Sequence, residues 1–161
     1  MRFEVSEQDL ALTLALDREP AALDLTRGNL GSRILDAAVQ GMTEAHARRQ
    51  APDGRPWPAL AASTVAQKGH ALIGVRTGAL LDPFLWEAGR HLIQPRRATW
   101  RHPYGEFPNS RDYGKLLGFH RGDPTRNRPP RPLLGWTARA RAEAEALIRA
   151  ALEALGPTGL R

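Results

Sequence analysis

The sequence predicts an α+β fold, with a small antiparallel β-sheet packed against N-terminal and C-terminal amphipathic helices and a long basic loop before the last helix. Three observations predict it. Residues 29–49 and 137–155 carry apolar side chains at helical spacing. Short apolar segments resembling strands lie between them. Residues 101–132 are dense in proline, glycine, asparagine and aspartate, which is typical of long irregular connections. The chain has 161 residues, 42% of them hydrophobic, which favours a single domain over residues 1–161.

The N-terminal segment predicts a short strand and then a helix. RFEV, residues 2–5, has the alternation of a strand. Ser6, followed by Asp9, resembles a helix N-cap with an acidic first turn. In DLALTLALD, residues 9–17, the leucines alternate as in a strand, but leucine and alanine are strong helix formers. A helix that ends before Pro20 is therefore favoured.

Two further helices and a hairpin follow. The helix over residues 29–49 cannot continue past Pro52, and STVAQKG, with Ser63 as cap and Gly69 as stop, predicts a short second helix. FLWE and HLIQ, joined by AGR within residues 84–94, predict the two arms of a β-hairpin.

The last part of the chain predicts one more strand and the final helix. ATWRH, residues 98–102, predicts the strand. Thr137 is the expected cap of a helix that runs through Leu155, and the glycine and proline at 156–157 should end it.

The charge is unevenly distributed. The formal net charge is +6, but residues 1–45 carry about −4, residues 46–141 about +11 and residues 142–161 about −1. A polyanion or an acidic protein surface is a plausible partner for the basic middle, and a solvated arginine-rich loop region is equally consistent. The absence of cysteine excludes disulfides and thiolate metal sites, and no apolar run is long enough for a membrane span.

The motifs of common enzyme classes are missing. The sequence has no HExxH, no phosphate-binding glycine loop and no GxSxG. His102 and His120 could meet Asp112 or Asp123 in space and bind a metal, as in a metal-dependent hydrolase, but histidines in polar loops explain the pattern more simply. We therefore expect a protein that is not an enzyme, with no catalytic residues, no metal site and no cofactor.

Aromatic and basic side chains interleave between residues 97 and 121. The aromatic residues are Trp100, Tyr104, Phe107, Tyr113 and Phe119, and the basic ones are Arg97, Arg101, Arg111, Lys115 and Arg121. Such a mixture can stack bases and contact phosphates, or the aromatic rings can pack in the core with arginines at its rim. The first alternative predicts a small basic nucleic-acid-binding protein.

Four segments carry a resemblance to a known family. PDGRPWPALAASTVAQK, followed by RTGALL, resembles the phage virion morphogenesis proteins, the tail-completion family of Mu-like phages. That family shows a D-G-x-x-W-x-x-L segment, then Thr and Lys, then T-G-x-L. The matching residues are Asp53, Gly54, Trp57, Leu60, Thr64, Lys68, Thr77, Gly78 and Leu80. YGKLLGFHRG (113–122) and PPRPLLGW (129–136) are similar to the family's tyrosine-led strand and to its P-x-R-P-x-x-G before a final helix.

The resemblance covers roughly residues 27–155, with residues 1–26 as a variable N-terminal segment. It implies a non-enzymatic structural protein of the phage neck or tail, assembled in the host cytoplasm and located in the virion. Such a protein completes the tail and supports head–tail joining as a subunit of a ring, with six copies expected from tail symmetry. The implied partners are the tail terminator, connector, tail tube or portal-side subunits and other copies of itself. Non-specific contact with channel DNA is possible in that position, and no membrane is involved.

The connector PDGRPW holds its tryptophan stiffly, because Pro56 and Pro58 restrict the chain on both sides of Trp57. That ring could anchor in its own core or in a neighbouring subunit, and the arginines of RPPRPLLG could face a partner or the solvent. The candidate structural and interaction residues are Asp53, Gly54, Trp57, Leu60, Thr77, Gly78, Leu80, Tyr113, Arg126, Arg128, Arg131 and Pro132.

Overall fold

The computed structural model describes residues 1–69, 71, 73 and 86–156 of the chain. Within them the fold is α+β, as predicted, with one four-stranded antiparallel sheet and four α-helices. The strands are β1 (Arg2–Ser6), β2 (Ala11–Ala15), β3 (Arg90–Gln94) and β4 (Arg97–Arg101). The helices are α1 (Leu30–Ala47), α2 (Ala62–Lys68), α3 (Arg111–Arg121) and α4 (Ala138–Leu155). Short 3₁₀ turns cover Arg27–Asn29, Pro103–Glu106 and Pro124–Arg126.

The sheet has the order β1-β2-β4-β3, and every neighbouring pair is antiparallel. Phe3 lies opposite Leu14 across β1 and β2, and Leu12 lies opposite Trp100 across β2 and β4. Leu12, Leu14 and Trp100 are fully buried, so one face of the sheet forms part of the hydrophobic core.

The helix predicted over residues 9–17 is wrong, because Ala11–Ala15 form the central strand β2. The alternating leucines decide the structure here. Strand pairing on both sides satisfies the backbone and buries Leu12 and Leu14, which outweighs helix propensity. Ser6 and Asp9 do form the expected cap-like hydrogen bond, with Asp9 N donating to Ser6 Oγ at 3.2 Å, but it lies in the turn that joins β1 to β2.

One arm of the predicted hairpin pairs with a different strand from the one expected. HLIQ is strand β3, but it pairs with β4 around the turn at residues 95–96, and Trp86 and Glu87 have helical backbone. Arg96 fixes this turn through its guanidinium group. The group donates, at 2.9–3.3 Å, to the carbonyl oxygens of four residues: Leu16, Glu19, Pro20 and Leu23. The rest of the expected first arm lies outside the described residues.

The long helices follow the predictions. α1 occupies the interval expected for residues 29–49 and packs against α4. The Thr137 hydroxyl accepts from Ala140 N at 3.1 Å, so it caps α4 as predicted, and Gly156 ends that helix. α2 ends at Gly69 as expected, but its N-cap is Ala61 and not Ser63.

Residues 101–132 are more ordered than predicted. Their centre is α3, and the hydroxyl of Ser110 accepts from Tyr113 N at 3.1 Å as its N-cap. The tyrosine-led segment 113–122 is thus helical and not the strand that the resemblance implies. Gly114 and Gly118 lower the helix propensity of this segment, but Tyr113 and Leu116 bury a common face and hold the helix in place.

Residues 1–26 are part of this framework, because β1 and β2 form half of the sheet. Leu23 and Leu25 extend the same cluster of buried side chains that contains α1 and β4. Among the described residues, no helix combines the length and apolar character needed to span a bilayer.

Candidate functional site

Trp57 lies in its own core. Its side chain is 5% exposed, and its indole Nε1 donates to Pro132 O at 3.0 Å. The ring meets Phe119 edge-on, with centroids 5.6 Å apart, and lies 5.7 Å from the ring of His46. Trp57 thus joins the 51–60 segment to the 129–136 segment within one molecule.

Arg131 is buried beside it, 7% exposed, so the expectation that this arginine faces a partner or solvent is wrong. Its Nε donates to Pro58 O at 3.1 Å and its Nη2 to Ala59 O at 3.2 Å. The guanidinium also lies over the Phe119 ring, 5.7 Å from the centroid. The chain turns Arg131 inward because two carbonyls of the proline-rich connector lack partners from regular secondary structure. We call this set of contacts between residues 51–60 and 129–136 the clasp.

The remaining residues of the DG-x-x-W-x-x-L motif shape the clasp. Gly54 has φ +86°, which favours glycine, and its amide donates to Ala51 O at 2.8 Å to close the turn. Asp53 accepts from Arg55 Nε at 2.7 Å, a hydrogen bond that lowers the pKa of its carboxyl. Leu60 packs partly buried against the core. The candidates Thr77, Gly78 and Leu80 lie outside the described residues.

Tyr113 has a structural position. It is 8% exposed, and its hydroxyl donates to Gln8 O at 2.8 Å, in the turn between β1 and β2. This bond fixes α3 against the sheet.

A basic groove opens beside the clasp, with a volume of about 510 Å³. One wall is a face of α3, and the other is the segment from Asp123 to Arg131. The lining residues are Arg111, Gly114, Lys115, Gly118, Phe119, Asp123, Arg126, Arg128, Pro129 and Arg131. We refer to this feature as the basic groove.

The helical wall has basic side chains at one edge and a bare backbone. Arg111 and Lys115 are four residues apart and so lie on one side of α3. Gly114 and Gly118 are also four apart, and a Cβ added to either would meet no atom of the other described residues within 4 Å. The helix backbone is therefore open to a ligand at these two positions.

The opposite wall is a closed loop. Asp123 N donates to Arg128 O at 2.8 Å, and Arg128 N donates back to Asp123 O at 2.9 Å. Gly122 sets the distance between the walls, because it has φ +75° and a Cβ there would lie 2.5 Å from Arg128 O. Only glycine allows the loop to approach the end of α3 so closely.

The cations of the groove differ in their partners. Lys115 pairs with Asp112 at 2.7 Å, and Arg126 pairs with Asp123 at 3.6 Å. Arg111 and Arg128 are exposed, and their side chains form no hydrogen bond or ion pair in the part of the chain that the structure describes. The groove thus offers two uncompensated guanidinium groups.

His102 and His120 have separate surroundings. His120 Nδ1 accepts from Leu133 N at 2.9 Å, and its Nε2 lies 3.2 Å from Glu7 Oε1, so both ring nitrogens are occupied. His102 is buried against Trp86, with ring centroids 4.8 Å apart. The described residues include no group of three histidine, aspartate or glutamate side chains placed to hold a metal ion.

His102 and His46 form a buried aromatic cluster with Trp86 and Trp100. His46 Nε2 donates to Leu133 O at 2.9 Å, and its ring contacts Trp86 at 4.5 Å. Burial lowers the pKa of both histidines to about 4, with His46 adding to the effect at His102. Both are therefore neutral at pH 7.

Most of the aromatic residues between 97 and 121 belong to the core, which corrects the base-stacking interpretation of this stretch. Trp100 and Tyr113 are buried, and Tyr104 and Phe119 are packed against the core. Phe107 is the exception among the five, with 63% of its surface exposed.

The sequence indicated the exposed arginines Arg126 and Arg128 and, among the interleaved basic residues, Arg111 and Lys115, but not the helix that brings the last two into one wall. The one signal that could have placed these residues on one face is the four-residue spacing of Arg111 from Lys115 and of Gly114 from Gly118. Comparisons with protein-family models, with curated proteins and with solved structures gave no significant match to this chain.

Proposed function

We propose that this chain is a structural virion assembly protein of a phage neck or tail, which completes the tail and supports head–tail joining as a ring subunit. The clasp carries the proposal. Trp57 and Pro132 are 75 positions apart in the sequence, yet they belong to two of the four motif segments and share a hydrogen bond. Such contact gives the resemblance a physical basis, because each segment satisfies polar groups of the other.

The clasp also suits an assembly subunit. It ties the loop wall of the basic groove to the connector, because the Arg131 guanidinium donates to Pro58 O and Ala59 O. The same residue contacts α3, since its backbone amide donates to Phe119 O at 3.1 Å and its guanidinium lies over the Phe119 ring. A surface on a rigid support loses little conformational entropy when a partner binds. Ring subunits need a repeated heterologous contact that closes, and a fixed groove is well suited to one side of such a contact.

Sedimentation velocity and negative-stain electron microscopy of the purified protein test this function. We expect a closed ring of uniform diameter, with six copies if the expected tail symmetry holds. Repeating the measurement at high salt separates a specific ring from polydisperse charge-driven aggregates, which dissociate as charges are screened. A protein that stays monomeric across concentrations and salt conditions would contradict the ring.

A small basic nucleic-acid-binding protein is the second candidate, and the uncompensated Arg111 and Arg128 favour it. It predicts that duplex DNA binds with an affinity that falls steeply with salt, because each neutralised phosphate releases counterions. Titrations at several salt concentrations measure that slope. A monomer with a steep slope would favour this candidate, and a ring that ignores DNA would favour the first.

A further inference from the structure

We propose that the basic groove is a docking site for an acidic peptide segment of a protein partner, with its carboxylates on Arg111 and Arg128. This inference deepens the proposed assembly function and rests on it for the protein nature of the partner. Guanidinium groups bind carboxylates through two parallel hydrogen bonds. Arg111 and Arg128 are free for such bonds within the described residues, and they stand on opposite walls of the groove.

The bare helix face gives the partner's main chain room to approach. Gly114 and Gly118 each lower the stability of α3 relative to alanine, and no atom of the described residues packs against the position of their missing side chains. A peptide in the groove can lie directly on this backbone. The contact with a bound peptide would then offset the helix stability that the two glycines remove.

The distribution of charge favours a peptide over a nucleic acid. Asp112 and Asp123 already neutralise Lys115 and Arg126, so anionic and cationic groups alternate near the groove. A phosphodiester strand carries a charge at every nucleotide and would place phosphates near these carboxylates. A peptide can place neutral residues there and carboxylates only opposite the free arginines. Alternate side chains of an extended peptide project to the same side, about 6.8 Å apart.

The experiment uses the whole protein and three labelled probes. The first is a peptide of alternating glutamate and glycine, the second has glutamine in place of glutamate, and the third is oligothymidylate of the same net charge as the first. Fluorescence anisotropy gives affinities. Backbone amide shifts of Gly114 and Gly118 in NMR spectra locate the binding even when it is weak. We expect the glutamate peptide to bind best and to shift both glycine amides.

Variants with matched charge separate the groove from general electrostatic attraction. Arg111→Gln combined with Arg128→Gln should weaken glutamate-peptide binding roughly tenfold, because charge-assisted hydrogen bonds are lost. Arg33→Gln combined with Arg149→Gln removes the same charge from exposed positions that do not line the groove and should leave binding unchanged.

Gly118→Leu tests the space itself. A Cβ at this position meets no atom of the described residues within 4 Å, and Gly118 lines the groove. We therefore expect the protein to fold while the leucine side chain blocks the groove and binding is lost. The docking proposal is overturned if the glutamate peptide does not bind, if both double variants weaken it equally, or if oligothymidylate binds more tightly. A ring-forming protein that ignores the peptide loses only this inference, whereas a monomer that binds it through the groove contradicts only the ring.

Discussion

The clasp and the basic groove share one segment of the chain, but the arginine of the clasp is buried and that of the groove is exposed. In the clasp, Arg131 is 7% exposed and donates to backbone carbonyls. In the groove, Arg128, three residues earlier, is exposed and has no side-chain partner among the described residues. The difference teaches that the role of an arginine here depends on nearby unpaired carbonyls. Proline supplies such carbonyls in the connector, because it interrupts regular hydrogen bonding.

Replacing Trp57 by alanine should have the largest effect on the clasp. It removes a buried ring and the hydrogen bond to Pro132, so we expect the free energy of unfolding to fall by about 3–5 kcal/mol. Urea denaturation measures the change. Trp57→Phe, which keeps most of the apolar surface, is the control and should cost less. An unchanged denaturation midpoint in Trp57→Ala would show that the clasp does not support the fold.

Acidification should have the next largest effect, because it lowers the free energy of unfolding through the buried histidines His46 and His102. His46 and His102 have pKa values near 4 when folded, whereas unfolded histidine has its ordinary pKa, so the unfolded chain binds protons first as the pH falls. Their contribution is complete above the ordinary pKa and is lost as the pH falls towards 4. At about pH 5 the cost is roughly 2 kcal/mol per histidine.

Urea denaturation of the wild type at neutral pH and at about pH 5 measures this loss. His46→Gln is the comparison, because it removes one of the buried histidines whose pKa is lowered and should show a smaller pH dependence. Equal stability of the wild type at both values would contradict the burial of neutral imidazoles.

A comparison of two arginines tests the contrast directly. Arg131→Ala should destabilise the protein by about 2 kcal/mol, because a buried arginine loses its packing against Phe119 and its hydrogen bonds to Pro58 O and Ala59 O. Arg128→Ala should change the stability by less than about 0.5 kcal/mol, because it is an exposed substitution. Equal effects of the two variants on thermal or urea unfolding would contradict the structural role of Arg131 and the absence of one for Arg128.

The smallest expected effect is a gain in stability. Gly114→Ala should stabilise α3 by about 0.5–1 kcal/mol, because alanine favours the helix and the added methyl group meets no atom of the described residues within 4 Å. Gly122→Ala is the opposite control, since its methyl group would lie 2.5 Å from Arg128 O. A loss of stability in Gly114→Ala would mean that this face is packed.

Sequence patterns predicted the fold class, α1 and α4 because long amphipathic repeats and a threonine cap depend on local chemistry. They failed for β2, where pairing with the adjacent β1 and the distant β4 overrides the helix propensity of leucine and alanine. They also failed for α3, whose glycines lower helix propensity while Tyr113 fixes the helix through a contact with Gln8. The inward turn of Arg131 depends on carbonyls more than 70 positions away, which no local pattern encodes.

The burial of every tryptophan has an optical consequence. Trp57, Trp86, Trp100 and Trp136 are the four indoles of the chain, and none is more than 5% exposed. Their fluorescence should shift to longer wavelength when the chain unfolds and water reaches the rings. None of them lines the basic groove, so a ligand there should leave the emission almost unchanged. Intrinsic fluorescence can therefore follow folding without interference from binding, and an external label is needed to follow the groove.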